Sequence, residues 1–303
     1  MQASGGDEGA DGREVIPLFP LESPLFPGVV LPLQIFEPRY RRLVADLVAL
    51  PEGAPRRFGV VAIRQGWEVE RVAPAEALFD IGCTAVVRVI APQTDGGYQL
   101  VAVGGERFRL LDVLVPTDPD SPPYLQALVE WLGEEEAADE AAGDADGLTG
   151  PDSGAGIVPE DVLSEVARGS LEVLTGNVRD LFARYVADVA VRQAGDVDGL
   201  PEEVLDALTP DELLGDDDEA GGELGGTAAL LREVADDARG LSYLVASAAL
   251  LTTEDRQALL AESATRRRLA MESRLLRREL TLLRTLGAVP VPLVQFATPM
   301  TPN

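Results

Sequence analysis

The chain has 303 residues, a hydrophobic fraction of 46% and a formal net charge of −27 at pH 7. It contains no histidine, and all 25 of its basic residues are arginine. These totals exclude a Ser-His-Asp triad, a Cys-His pair, a Ser-Lys dyad and a Walker A loop, because each needs an imidazole or an amine. With a single cysteine, the chain also lacks the ligands of the usual zinc sites. We therefore expect a protein of about two domains with no cofactor.

The N-terminal residues 1–13 are rich in glycine and aspartate, and this composition predicts disorder. They have neither a basic start nor an apolar stretch, so we expect no signal peptide. No apolar run approaches the ~20 residues of a membrane span, and the best candidate, residues 243–251, is short. We expect a cytoplasmic protein without a membrane partner.

Residues 16–48 predict a strand, a turn, a second strand and a helix. Two short apolar segments, 16–19 and 29–33, flank Pro27-Gly28, which suits a type II turn. Prolines within the predicted strands place them at a sheet edge or at bulges, as in a small, strongly bent barrel. The apolar residues that follow recur at helical spacing: Tyr40, Leu43, Val44 and Leu47.

Large aromatic side chains in such a unit are more often core than contact surface. We therefore assign Phe19, Phe26, Phe36 and Tyr40 to the core.

Further strands are predicted by apolar runs at 58–63, 81–90, 98–103, 108–115 and 124–131. The four residues 94–97, Thr-Asp-Gly-Gly, are typical of a hairpin. We interpret Gly104-Gly105 as a tight turn between strands and not as a phosphate loop, since no helix follows. Cys83 lies in a strand-like run, where a lone cysteine is usually a small buried hydrophobe.

The acidic charge is concentrated in the middle of the chain. Residues 133–226 hold 26 acidic residues and four arginines, whereas residues 13–132 hold 15 and 11. The parts richest in acid, 133–160 and 211–226, have the composition of disordered linkers. The loops 144–147 and 196–199 look faintly like calcium loops, but neither has the EF-hand spacing.

Helices are predicted on either side of the second linker. The apolar side chains in 162–193 repeat at helical spacing: Leu171, Leu174, Val178, Leu181, Phe182, Tyr185 and Val189. A second apolar seam runs from Leu231 to Ala248, and Thr252 with Asp255 forms a capping box for a short helix. In the last helix, leucines line one face, namely Leu269, Leu276, Leu280 and Leu283. Its other faces carry arginines: Arg266, Arg267, Arg268, Arg274, Arg277, Arg278 and Arg284.

Several motifs near the N-terminus have a specific order. They are Pro17–Leu21, Leu25–Gly28, Leu31–Leu33 and Ile35–Tyr40. Together they resemble the N-terminal, substrate-binding domain of the Lon family of ATP-dependent proteases. The resemblance extends more weakly over nearly all of residues 14–289. It implies an α+β fold, in which a PUA-like, partly open β-barrel with one helix is followed by a C-terminal helical bundle.

The resulting domain prediction has seven parts. They are a disordered N-terminus (1–13), a Lon-type PUA-like barrel (14–132), an acidic linker (133–160), a helical segment (161–210), a second acidic linker (211–226), a helical bundle (227–289) and a Pro-rich apolar tail (290–303). Two interpretations of the tail remain open: it is a ligand for a partner protein, or it is a strand or strap that packs on its own domain.

The resemblance implies a non-enzymatic polypeptide-recognition module, free-standing without the ATPase and protease domains. Such a module would act as an adaptor, a holding factor or a regulatory binder. Its partners would be unfolded or exposed polypeptide segments, with a protease or a chaperone as a further candidate. We expect an exposed apolar surface between barrel and bundle, rimmed by charge, but the sequence assigns no residues to it, nor does it indicate an oligomeric state.

Two alternatives remain open. One is a hydrolase that uses only carboxylates, since a pair of acids can act as acid and base. The other is an RNA-binding PUA-like protein, which the arginines of the last helix suggest. Against RNA stands the net charge of −27, which repels phosphate, so we expect no nucleic-acid partner.

Overall fold

A computed structural model describes residues 12–64, 76–118, 121–132, 160–194 and 237–286. The chain divides into two compact units. The barrel unit comprises Met1–Glu134 together with Thr252–Ala261, and the helical unit comprises Glu135–Leu251 and Glu262–Asn303. This mixed architecture confirms the predicted α+β class.

The described elements follow in chain order. They are β1 (Arg13–Leu21), β2 (Val30–Ile35), α1 (Pro38–Ala49), β3 (Arg57–Ala62), β4 (Ile81–Pro92), β5 (Tyr98–Leu114), β6 (Gln126–Trp131), α2 (Glu160–Ala194), α3 (Ala238–Ala248), α4 (Thr253–Ala261) and α5 (Thr265–Leu286). The strands form one sheet in the order β2-β5-β4-β3-β1-β6, and β6 also pairs with β5. This last pairing closes five strands into a barrel, and among the described strands β2 pairs with β5 alone.

The prolines of β1 are accommodated because the strand changes partner along its length. Residues 13–17 pair with β6, and residues 18–21 pair with β3. Pro17 and Pro20 each pair with a single described strand, Pro17 with β6 and Pro20 with β3. A proline nitrogen, which carries no hydrogen, can face the other side without loss of a hydrogen bond.

The prediction of a turn at Gly104-Gly105 is wrong, because β5 runs through both glycines as one strand. The Gly104 N–H donates to the carbonyl of Val29 at 2.9 Å, and the Gly104 carbonyl accepts from the Gly28 N–H at 2.9 Å. A Cβ at Gly104 would overlap the carbonyl oxygen of Phe26. The glycine therefore serves a close approach of two backbones.

The hairpin predicted at residues 94–97 is confirmed. Gly96 has a φ of +79°, and the Asp95 carboxylate accepts from the Gly97 N–H at 2.9 Å.

Most of the predicted aromatic core is confirmed. Phe19, Phe26 and Tyr40 are buried, and the rings of Phe19 and Tyr40 stack with centroids 4.0 Å apart. The prediction for Phe36 is wrong, because 66% of its surface is exposed. It lies between the end of β2 and the start of α1, where the chain turns away from the core.

The short helix α4 packs on the barrel, although it is distant from the strands in sequence. Gln257 donates to the carbonyl of Ile81 at 2.8 Å, and Arg107 donates to the carbonyl of Leu260 at 2.9 Å. A guanidinium at the last carbonyls of a helix satisfies an acceptor that has no partner within the helix.

The capping box predicted for α4 is confirmed. The Asp255 N–H donates to the Thr252 hydroxyl at 3.1 Å, and that hydroxyl donates to the Asp255 carboxylate at 2.9 Å.

In the helical unit, α2, α3 and α5 share one apolar core. Its buried members include residues predicted from the helical spacing: Val178, Leu181, Phe182, Tyr185, Leu269, Leu276, Leu280 and Leu283. Asn177 donates to Ser273 at 2.7 Å, and Arg284 donates to Asp188 at 3.0 Å. Both pairs are 96 residues apart, so α2 and α5 run in the same direction.

Arg268 departs from the prediction that the arginines of α5 lie on its outer faces, because its side chain is fully buried. It donates to the Ser242 hydroxyl at 2.7 Å and to the Glu262 carbonyl at 2.6 Å. Its guanidinium also lies 4.1 Å from the ring centroid of Tyr243. These partners replace the water that the charge loses on burial.

Glu272 lies one turn after Arg268 and is also buried. Neither of its carboxylate oxygens has a hydrogen-bond partner among the described residues. Burial raises the pKa of Glu272 well above its ordinary value of 4.5, and the positive charge of Arg268 opposes this only in part. The folded chain therefore keeps this proton to a higher pH than the unfolded chain does.

We predict that Glu272→Gln stabilises the protein at neutral pH. For the native residue, the free energy of unfolding falls as the pH rises above 4.5 toward the raised pKa of the folded state, since only the unfolded chain ionises freely there. Glutamine stays neutral and removes this loss. Chemical denaturation between pH 4 and 8 should show that the free energy of unfolding of the variant changes less with pH than that of the native chain.

Glu279→Gln is the control, because Glu279 is buried but paired with Arg278 at 2.7 Å and should not gain stability. Parallel curves for Glu272→Gln and the native chain would contradict this account.

We also predict that Gly104→Ala destabilises the barrel by about 2 kcal/mol or more, because the methyl group meets backbone that cannot move aside. Gly176→Ala in α2 is the control, since no atom of a described residue other than its chain neighbours and its own helix backbone lies within 4 Å of the added Cβ. It should stabilise by roughly 0.5–1 kcal/mol through helix propensity. Urea denaturation measures both, and an unaffected Gly104→Ala variant would show that the close approach is dispensable.

Candidate functional site

The outer side of β2, β5 and β4 carries two rows of apolar residues. In the first row Val30 pairs with Val103, and Val103 pairs with Val86. In the second row Pro32 pairs with Val101, and Val101 pairs with Val89. Directly opposed residues of neighbouring strands project to the same side of a sheet. We call these six residues the valine face: Val30, Pro32, Val86, Val89, Val101 and Val103.

The valine face is open to solvent along both margins. Val30 is 59% exposed on β2 and Val89 is 54% exposed on β4, while the valines of β5 between them are half-buried. The alternate residues Leu100 and Ala102 of β5 point into the barrel and are buried. The sheet therefore has apolar side chains on both sides, and only one side is covered by the barrel core.

Phe36 extends this surface beyond the end of β2. It continues the alternation in which Val30 and Pro32 are exposed and Ile35 is buried. At about 3.3 Å per residue, the line from Val30 to Phe36 is roughly 20 Å long. An extended polypeptide of about six residues has the same length.

Polar and charged groups border the valine face. Gln34 and Gln99 form the next outward pair, and Arg88 is exposed at the irregularity of β4 beside Val89. Near Phe36, Arg39 and Glu37 form an exposed ion pair at 2.8 Å. The sequence analysis expected an apolar surface rimmed by charge between barrel and bundle, whereas the valine face belongs to the barrel unit alone.

A separate cleft of about 450 Å³ lies at the end of β5 and the start of β6. It is lined by Val113, Leu114, Val115, Pro116, Thr117, Ser121, Pro122, Tyr124 and Gln126. The Tyr124 hydroxyl donates to Asp46 at 2.9 Å. Burial and this bond raise the pKa of Tyr124 to about 12, so the phenol stays protonated at neutral pH.

The cleft gives no support to a carboxylate-only hydrolase, because none of the described residues that line it carries a carboxylate. The buried acids among the described residues, Glu272 and Glu279, belong to the helical unit. They lie seven residues apart on α5, which corresponds to a rise of about 10 Å.

Three of the arginines that suggested a basic surface on α5 are paired with carboxylates. Arg267 pairs with Glu262 at 3.4 Å, and Arg278 pairs with Glu279 at 2.7 Å. Arg284 is likewise bound to a carboxylate of α2. Each pairing removes a charge that phosphate would need.

Of the other residues considered as candidate sites, Cys83 is described by the structure and the acidic loops and the tail are not. Cys83 is buried as predicted, with its thiol 3.5 Å from the Gly105 carbonyl. The loops 144–147 and 196–199 and the tail 290–303 lie outside the described residues. Within the described ranges, no three histidine, cysteine, aspartate or glutamate side chains come together as a metal site.

Sequence patterns did not predict the valine face. In β4 and β5 the inward and outward residues are both apolar, so the strands show no alternation that separates the two sides. Phe36 is assigned to the core by the general preference of large aromatic side chains for the interior, and this preference does not hold at its position. The one available signal was the proline at position 32, which indicates an edge strand.

The family model for the ATP-dependent protease La (LON) substrate-binding domain matches residues 15–278. The chain therefore belongs to this family, as the N-terminal motifs predicted. The domain that the match covers is the substrate-binding part of Lon and not a catalytic one.

The chain is similar to individual Lon proteins. The chain is 25% identical over 275 residues to Lon protease 1 of Herpetosiphon aurantiacus, covering 90% of this chain and 25% of that protein. It is 34% identical over 111 residues to Lon protease 2 of Syntrophobacter fumaroxidans, covering 37% of this chain and 13% of that protein. The chain thus spans a quarter or less of these curated proteins. A solved Lon N-terminal domain protein from Xanthomonas campestris is 21% identical with a TM-score of 0.44, covering 87% of this chain and 98% of that one.

No helix in the described parts of the chain combines the length and the apolar character needed to cross a membrane.

The environment of Cys83 leads to a prediction about its reactivity. Burial raises the pKa of the thiol to about 12, so almost no thiolate is present at pH 8. A thiol reagent such as Ellman's reagent should modify the native protein far more slowly than the denatured protein. Equal rates in the two states would contradict the described packing of β4 against β5.

Proposed function

We propose that the chain is a polypeptide-recognition module that binds unfolded or exposed segments through the valine face. The observation that carries this proposal is an exposed apolar sheet surface on the barrel of a Lon substrate-binding domain. Isolated exposed valines are ordinary, but a contiguous group on three neighbouring strands is typical of an interaction site.

The shape of the surface suits a polypeptide better than a small molecule. A ligand pocket encloses most of its ligand, whereas the valine face is an open sheet surface. Burial of apolar area contributes about 25 cal/mol per Å² before the cost of ordering the ligand. We expect micromolar-range binding, roughly −8 kcal/mol, which permits release.

The charge distribution is consistent with this role. The barrel sequence is nearly balanced, with 15 acidic residues and 11 arginines in 13–132, while the chain as a whole carries −27. High net charge keeps a protein soluble despite an exposed apolar surface. The same field attracts cationic segments and repels acidic ones.

The proposal includes three modes of action: adaptor for a protease, holding factor for unfolded chains, or regulatory binder of one partner. We further propose that the protein acts in the cytoplasm, binds no nucleic acid and catalyses no reaction. The domain boundaries given above remain predictions. A protease or a chaperone is the expected recipient of the bound segment.

The test is binding of the full chain to a reduced and alkylated polypeptide that stays unfolded. We expect selective binding to the unfolded form over its native, disulfide-bonded counterpart. The double variant Val30→Glu/Val89→Glu should weaken binding at least tenfold, about 1.4 kcal/mol, because two charges must be desolvated at the contact. Fluorescence anisotropy of the labelled polypeptide measures the effect.

Val173→Glu is the matched control, because Val173 is 73% exposed on α2 in the helical unit. It should leave binding unchanged. Equal loss in both variants, or no loss in either, would contradict recognition by the valine face, and melting curves of both variants verify the fold.

A further inference from the structure

The free edge of β2 limits how the valine face can hold a polypeptide. The carbonyl of Val29 accepts from the Gly104 N–H, so it points toward β5. Backbone groups alternate in direction at each residue of an antiparallel strand. The N–H and carbonyl groups of Val30, position 32 and Gln34 therefore point away from β5, toward the side where β2 has no strand partner among the described residues.

This edge is a poor template for another strand. Position 32 is a proline, so the middle of the three outward-pointing residues has no N–H to donate. The two remaining outward N–H groups, of Val30 and Gln34, are four residues apart, or about 13 Å. Proline on an edge strand is a device that prevents strand addition.

The backbone of this edge does not favour contact with another strand, but the side chains next to it do favour contact with an apolar ligand. Val30 and Val89 at the margins of the valine face are exposed, and no described side chain covers them. The same strand therefore blocks backbone pairing and presents apolar side chains for contact.

Resting on the proposed function, we infer that the valine face binds polypeptide through side-chain contact alone, without adding the segment to the sheet as a strand. The ligand class is an apolar run whose backbone N–H groups are dispensable. Proline-containing apolar segments, which strand-addition sites reject, belong to this class.

The net charge of the chain further limits which apolar segments we expect to bind. The chain carries a formal charge of −27, and Arg88 is an exposed cation near the valine face. The long-range field of the chain outweighs one local arginine, so basic flanks on the apolar run favour association and acidic flanks oppose it.

Three fluorescein-labelled peptides test the inference on the full chain. The first has a central run of six alternating valines and leucines between arginine pairs. The second is identical except that all six central amides are N-methylated, which removes every N–H of the run and keeps its side chains. In the third, serine and asparagine replace the central run. Anisotropy titration measures the dissociation constants at fixed salt.

We expect the first two peptides to bind within about threefold of each other and the third at least tenfold more weakly. Val30→Glu/Val89→Glu should weaken the first two alike. Strand addition would make the methylated peptide at least about tenfold weaker, since several backbone hydrogen bonds would be lost. That result overturns the inference and leaves the proposed function in place. Absence of binding by both apolar peptides, or binding unchanged by the double variant, overturns the proposed function as well.

Discussion

The structure of the barrel depends on one long strand. β5 pairs with β2 and β4 over its first part and with β6 over its last part, so it joins both margins of the sheet. This continuity requires Gly104, where the backbone of residues 26–29 approaches too closely for any side chain. β5 is one strand across this point, and its pairs with β2 and β4 at residues 98–103 bring the outer residues of three strands into register. The valine face is a consequence of that register and of no single motif.

An exposed apolar sheet surface is a hazard as well as a binding site, since free strand edges and apolar surfaces promote aggregation. The chain counters the hazard in two ways: Pro32 interrupts the donor pattern of the β2 edge, and the high negative charge keeps molecules apart. The helical unit is built differently, because it buries charge. Arg268 is compensated by hydrogen bonds and by the ring of Tyr243. The Glu272 carboxylate has no hydrogen-bond partner among the described residues, and the charge of Arg268 compensates its burial only in part.

Sequence patterns predicted the features that depend on local chemistry. The hairpin at residues 94–97, the capping box of α4 and the leucine seam of α5 each follow from a spacing that one element sets by itself. The patterns failed where two distant segments meet. Gly104 looks like a turn until the backbone of Phe26 is placed against it, and Arg268 looks solvated until Ser242 and Tyr243 surround it. The candidate site could not be predicted from the sequence for the same reason, because it is formed from three strands whose register is a tertiary property.

The central claim is that polypeptide contacts the valine face. Methyl NMR spectra of the full chain with labelled valines test it directly, during titration with a reduced and alkylated unfolded polypeptide. The account predicts shifts or broadening for the five valines of the face, while the methyl groups of Val173 and Val178 in the helical unit keep their positions. Binding that perturbs the helical unit and leaves the valines of β2, β4 and β5 unchanged would contradict it.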